Sequence, residues 1–450
     1  MKDTKNLNTE YDVKALRRQI IYMMLPIIAE NFLQLLTDLS ATAMVGRLTE
    51  LDISAQGMSM KTVDLVYYVF RGTGVALVVV VAKQLAREGI DICRTIFEKT
   101  AVATIIIGVA LGAFIYMNPT MLLRVFTEEA ELIVHATSYL RYLVVCLPFW
   151  GITVCVASVY QAGGDTKTPM KIAVFVNVLN IILCYGLIFG NLGMPKMGYL
   201  GAALSLVISR TAGCFLGLAL LYHKKWGMFS LRGKRKKVER VLPEIYSIGL
   251  PNAGEWAAWQ IATILLSRII LYYGQSEFAA YQLGVQAEFM TEIPAVGFSV
   301  AATSLISRAI GLEDRRLFEV YKKELMRFCV GISIVTSCSL MFLPHVFMGL
   351  LTDNDVLIQI GIPYVVIMGS IQLPQNASKI YTGILRSGGY KVMPLVIQVI
   401  ALWGFRVPLC FLCAYALNLP IISIWVCFAL DQLIKSFIYR YKCNHAKILE

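Results

Sequence analysis

Six carboxylates within long apolar stretches of this chain are candidates for chemistry: Glu30, Asp38, Asp64, Glu255, Glu288 and Glu292. Removed from water, a carboxyl group can take up and release a proton near neutrality, or hold a small cation while ionised. An acid at such a place costs several kcal/mol if the stretch lies in a bilayer, so it suggests function by default. Their spacing is informative. Glu30 and Glu255 each follow the proline of a Leu-Pro pair by four residues, and Glu288 and Glu292 are one helical turn apart, on one face. Glu255 adjoins Trp256 and lies near Trp259, and a carboxylate beside aromatic faces suits a lipophilic cation. Asp64 follows Lys61 by three, the spacing of a lateral ion pair on one helix face. Plainer readings compete: Glu30 wetted by headgroups, Asp38 in a structural hydrogen bond. Arg71, Arg141, Arg210, Arg268, Lys379 and Arg406 share these stretches and can snorkel or pair with the acids.

The elements that must position them are membrane spans. Of 450 residues, 57% are hydrophobic and only 16% charged, with a mean hydropathy of +0.66. A water-facing domain carries roughly 25% charged residues. The apolar runs are about 20 to 25 residues long, enough to cross roughly 30 Å of hydrocarbon. Twelve spans are expected, near 18–46, 53–83, 95–117, 134–160, 170–190, 198–222, 243–273, 278–308, 324–350, 356–385, 393–416 and 420–441. Disorder, collagen and coiled coil are excluded. The first span is too long for a signal-peptide core, and no small-residue cleavage site follows it. The net charge of +12 sits in the connectors, as membrane topology requires, so it does not indicate nucleic acid. Thirty of the 41 Lys and Arg fall at the termini and in even-numbered loops, and three (Arg47, Arg124, Lys196) in odd-numbered loops. Both termini are therefore expected in the cytoplasm. The run Lys234-Arg235-Lys236-Lys237 reads as a cytoplasmic linker near anionic lipid.

That linker divides a repeat. A shift of 225 positions superposes Leu25-Pro26 on Leu250-Pro251, Glu30 on Glu255, Gly72 on Gly297, Pro119 on Pro344, Gly163-Gly164 on Gly388-Gly389 and Pro169 on Pro394. Three proline pairs coincide where chance would give roughly 0.2. Six spans per half is an even number, so the halves enter the membrane the same way round, as parallel repeats about an axis along the membrane normal. The expected organisation is 1–222 (spans 1–6), a linker at 223–242, and 243–450 (spans 7–12). Two like bundles leave a cleft that rocking exposes to each side in turn. There is no G-x-x-x-x-G-K-[ST] loop, no kinase signature and no nucleophile elbow, so neither ATP hydrolysis nor other enzyme chemistry is indicated. The eleven Cys are scattered, the one C-x-x-C (Cys410, Cys413) lies in an apolar run, and the four His are dispersed, so no metal site is indicated. An ion gradient remains as the energy source, and the buried acids are what it would act on.

In Leu25-Pro26 to Met44-Val45-Gly46-Arg47, Gly163-Gly164-Asp165-Thr166-Lys167-Thr168-Pro169, Gly198-Tyr-Leu-Gly201-Ala202-Ala203, Leu385-Arg386-Ser387-Gly388-Gly389 and Arg406-Val-Pro408, the chain resembles the multidrug and toxic compound extrusion (MATE) family over nearly its whole length. The resemblance implies two six-helix lobes around a cavity, and export of amphipathic, often cationic compounds in exchange for H⁺ or Na⁺. It also implies acids that are missing. The first-helix Asp of the family falls at Ala41, and Asp38 stands three residues earlier. Asn180 of the fifth-helix pair is kept, but its acid partner is Cys184. A tenth-helix acid of some members falls at Gln375.

The expectation is thus an all-α, twelve-span, two-lobed multidrug antiporter in the plasma membrane, with the lipid bilayer and small amphipathic molecules as partners, no nucleic acid, no cofactor, and a monomeric state. Cation coupling and substrate binding are assigned to Glu255, Asp38, Glu288, Glu30, Glu292 and Asn180, with Trp256 and Trp259 as cavity aromatics. The alternative is a lipid-linked precursor flippase of the same superfamily, which would hold pyrophosphate on the buried Arg and Lys.

Overall fold

Helix formation starts at Asp12, whose carboxylate accepts from the amides of Lys14 (2.9 Å) and Ala15 (3.3 Å) and so satisfies two donors that the first helical turn leaves unbonded. In the computed structural model, which describes residues 12–223 and 240–449, twelve long helical elements follow. They are α1 (Val13–Val45), α2 (Glu50–Glu88), α3 (Ile90–Met117), α4 (Ala130–Ala162), α5 (Lys167–Phe189), α6 (Tyr199–Tyr222), α7 (Val241–Leu271), α8 (Gln275–Gly311), α9 (Arg315–Phe342), α10 (Asp355–Ser370 continuing as Gln372–Ser387), α11 (Met393–Ala416) and α12 (Ile422–His445). Ten of these are long and apolar enough to cross a membrane singly. The basic run 234–237 lies outside the described residues.

Two elements depart from simple spans. α10 bends by 52° between Ser370 and Gln372. Pro374 supplies the cause: it has no amide hydrogen and its ring opposes the carbonyl one turn back, so the helix restarts rather than running through. α7 is 31 residues long but too polar to qualify as a span by composition, since it carries Asn252, Glu255 and Gln260.

The repeat is visible in backbone detail. Pro119 and Pro344 open equivalent short helices, Pro119–Leu123 and Pro344–Gly349, after caps of nearly the same conformation (Asn118, φ −124, ψ 42; Leu343, φ −123, ψ 36). Gly164 and Gly389 follow α4 and α10 with φ of +83 and +94, a left-handed region that glycine enters without steric cost. The contacts between halves obey the same operation. α2 crosses α7 at Gly72, where an added Cβ would run into the Gly249 carbonyl. α8 crosses α1 at Gly297, which lies against the Met24 carbonyl. Adding 225 to 72 and 24 gives 297 and 249.

The halves interlock at the face that carries the termini. Ile20, Met23 and Met24 of α1 are buried in a core formed by α8, α9 and α10, while Val241, Ile245 and Ile248 of α7 join the core of α2, α3, α4 and α5. At this face Arg17 pairs with Glu324 of α9 (2.6 Å), Tyr321 donates to Gln19 (3.0 Å) and Arg87 reaches Glu313 (3.4 Å). Lys322 of α9 meets Asn444 of α12, which brings the last helix to the same face. Toward the opposite face the repeat-related Leu36 and Leu39 of α1, and Ile261 and Ile264 of α7, remain exposed.

Candidate functional site

Inside the first half, α1, α2, α4, α5 and α6 enclose a cavity of about 260 Å³. α1 supplies Glu30, Asn31, Gln34 and Asp38, four polar residues at helical spacing on one face. α2 supplies Asp64 and Tyr67, α4 Trp150 and Thr153, α5 Asn177 and α6 Arg210. The spacing of Asp38 and Gln34 closes a hydrogen bond along the helix, Gln34 Nε2 to Asp38 Oδ1 at 2.8 Å. Glu30 Oε2 and Asn177 Nδ2 are buried with no partner, one acceptor and one donor in the same cavity. Buried polar atoms are nearly always satisfied, so the pair marks a place for water or a ligand. Arg210 is the cation among the lining residues, and its guanidinium is stacked 4.7 Å from the Trp150 ring rather than ion-paired with an acid. Three carboxylates thus share a cavity with one guanidinium. The expected Lys61–Asp64 ion pair is absent: Lys61 is exposed, and Asp64 turns to the cavity.

The acids of the second half are placed differently. Glu255 of α7 pairs with Arg386 of α10 at 2.5 Å, both nearly buried. Glu292 of α8 pairs with Lys379 of α10 at 3.2 Å. Glu288 accepts from Tyr364 Oη (2.6 Å) and Gln375 Nε2 (2.9 Å), and Gln375 donates to Glu292 as well. Gln375, where the resemblance implies an acid in some members, ties two acids together in this chain. A further buried acid, Asp431 of α12, is fully enclosed and holds Arg406 of α11 (2.6 Å) and Lys435 (2.9 Å). Three of these acids are therefore held by four bases, and Glu288 by the neutral donors Tyr364 and Gln375.

Sequence reasoning missed Asp431 and Lys435. The signal was available: an acid and a base four apart inside span 12, with Arg406 inside span 11. By position Lys435 reads as part of the basic terminal flank, but it is buried. Asn31, Gln34 and Asn177 were also missed, because neutral polar residues do not stand out against an apolar run.

Asn180 lies outside the cavity. Its Oδ1 accepts from Ser205 of α6 (3.0 Å), a bond between packed helices. Trp256 and Trp259 meet edge to face at 6.1 Å, and the face of Trp256 is covered from the other half, by Tyr68 (5.7 Å, stacked) and Arg71 (4.2 Å). Tyr68 Oη also donates to Gln260 (3.4 Å). Arg141 lies over Tyr116 at 5.3 Å. Among the described residues no group of three or more His, Cys, Asp or Glu could hold a metal ion.

Known proteins resemble the chain at the level of family, sequence and structure. The MatE family model matches twice, at residues 26–186 and 251–412, with start points that differ by the repeat length. The chain is 25% identical over 434 residues to a probable multidrug resistance protein NorM of Thermotoga maritima, covering 96% of this chain and 93% of that protein. A probable multidrug resistance protein YoeA of Bacillus subtilis is 24% identical over 419 residues, 91% of this chain and 89% of that one. Among solved structures, a mutant of the Vibrio cholerae MATE transporter VcmN superposes with a TM-score of 0.89 at 17% identity, over 96% of this chain and 97% of that one. The outward-facing conformation of a multidrug resistance MATE family transporter superposes with a TM-score of 0.88 at 17% identity, over 98% and 99%.

Proposed function

Because the chain belongs to the MatE family of membrane transporters, which are not enzymes, we propose that it exports amphipathic, cationic organic compounds in exchange for H⁺ or Na⁺. The observation that carries this reading is the first-half cavity, where Glu30, Asp38 and Asp64 face a single guanidinium. A site with surplus negative charge in low-dielectric surroundings attracts a cation strongly, and neutralising the surplus changes the energy of every helix that lines it. The lining helices α1 and α2 also make the contacts to α8 and α7. A cation that enters the cavity therefore acts on the helices that must move when the bundles rock.

In this reading the protein lies in the plasma membrane as a monomer, with both termini in the cytoplasm and the cleft open outward. Cargo arriving from the cytoplasm displaces Arg71 from Trp256, and H⁺ or Na⁺ reaches the three carboxylates from outside and ejects it. Glu255, Glu288 and Glu292 carry their present partners through the cycle or exchange them for cargo. Asn180 supports the α5–α6 contact beside the cavity.

The test is ethidium transport in vesicles under an imposed pH gradient and, separately, an imposed Na⁺ gradient. Transport dependent on one gradient, and abolished by Glu30→Gln with Asp38→Asn and Asp64→Asn together, is expected. Gradient-independent transport, or full transport by the triple variant, overturns the reading.

A further inference from the structure

We propose that the groove between the start of α11 and the end of α12, on the terminal face, is a seat for one anionic phospholipid. It encloses about 640 Å³. Its rim carries Lys391 and Lys442, and no carboxylate is among its lining residues. Its floor is apolar: Val396, Ile397 and Ile400 of α11 and Ile438 of α12. Val396 and Ile400, one turn apart, are 46% and 60% exposed. In a protein that spans a bilayer, such side chains face lipid.

Charge and depth select the occupant. The lysines stand at the level where the two helices reach the terminal face, the level of headgroups. From Met393 to Ile400 the helix rises about 11 Å, most of the depth of one leaflet, which is half of roughly 30 Å. A phosphodiester at the rim and an acyl chain along the floor fit that arrangement. Basic pockets between spanning helices bind acidic headgroups in this way. Lys391 is pre-oriented, because it donates to Ser247 Oγ of α7 at 2.7 Å. An ammonium has three donors, so the phosphate can share it without breaking that bond. Ser247 stands two turns before Glu255 on α7, so Lys391 links the seat to the helix that carries the Glu255–Arg386 pair. The seat is independent of which ion or compound is transported.

Native mass spectrometry of the purified full-length protein tests it, with equal amounts of dioleoyl phosphatidylglycerol and dioleoyl phosphatidylcholine added. The wild type is expected to retain the anionic lipid at least about fivefold better. Lys391→Gln with Lys442→Gln is expected to erase that preference while eluting as the wild type does. Ile400→Trp fills the floor, leaves both lysines, and is expected to lower retention of the anionic lipid; it serves as the test if the double variant does not fold. Equal retention of the two lipids by the wild type, or an undiminished preference in both variants, overturns the proposal. So does displacement of the lipid by millimolar inorganic phosphate, which would make the groove a site for free phosphate.

Discussion

The two halves share one backbone plan and use their acids in opposite ways. In the first half, Glu30, Asp38 and Asp64 line a cavity with Arg210, and none of the three is held by an ion pair. In the second half, Glu255, Glu292 and Asp431 are each gripped by a base, and Glu288 is tied down by Tyr364 and Gln375. Glu30 and Glu255 make the point sharply. They are repeat mates, four residues after equivalent prolines, and each keeps one buried oxygen without a hydrogen bond, yet Glu255 meets Arg386 at 2.5 Å while Glu30 has no ion-pair partner. A buried, matched pair stores its charge in place; a surplus of one sign stays available to a mobile ion.

The comparison can be broken most severely by removing a base or an acid from the second half. Asp431→Asn leaves Arg406 and Lys435 buried without their counter-charge. It is expected to destabilise the protein by about 3–5 kcal/mol, seen as a large fall in the thermal unfolding midpoint or loss of monodisperse protein. The triple variant Glu30→Gln, Asp38→Asn, Asp64→Asn is expected to do the reverse, abolishing transport while leaving the unfolding midpoint unchanged or higher. If it unfolds instead, the first-half acids are structural as well.

Gly72→Val tests the contact between halves. The new side chain meets the Gly249 backbone, which cannot move aside as a side chain would. Closure of the terminal face should fail, with a loss of transport of about tenfold or more and increased labelling of a cysteine placed at Ser304, which now donates to the Gln161 carbonyl. Glu255→Gln is expected to destabilise by about 1–3 kcal/mol because Arg386 loses its charge partner. Glu255→Gln with Arg386→Met should recover part of that loss. If the double variant is stable but cannot transport, Glu255 acts beyond the ion pair. The smallest effect is expected for Lys61→Ala, within about 0.5 kcal/mol of wild type and with normal transport, since Lys61 is exposed and does not hold Asp64.

Much of this was readable in advance, because each feature follows from local composition. Spans follow from the length of apolar runs, and the repeat from coincident prolines and glycines whose backbone roles the structure repeats at Pro119 and Pro344 and at Gly164 and Gly389. The pairings of the acids were not readable. The bases that hold Glu255 and Glu292 lie 131 and 87 residues away along the chain, on α10, and neither spacing marks them as partners. Lys61 looked like a partner for Asp64 because it was near in sequence, yet the rotation of α2 carries the two to different surroundings.

By itself, then, the sequence determined that the chain crosses a membrane in two matching halves and that several acids lie within the spans, since hydropathy, periodicity and duplication are written in neighbouring residues. Tertiary structure alone decided which acids meet a base and which share a cavity. That choice depends on a few ångströms and the rotation of helices brought together from distant parts of the chain, and a shared local pattern such as the Leu-Pro-x-x-x-Glu of Glu30 and Glu255 leaves it open.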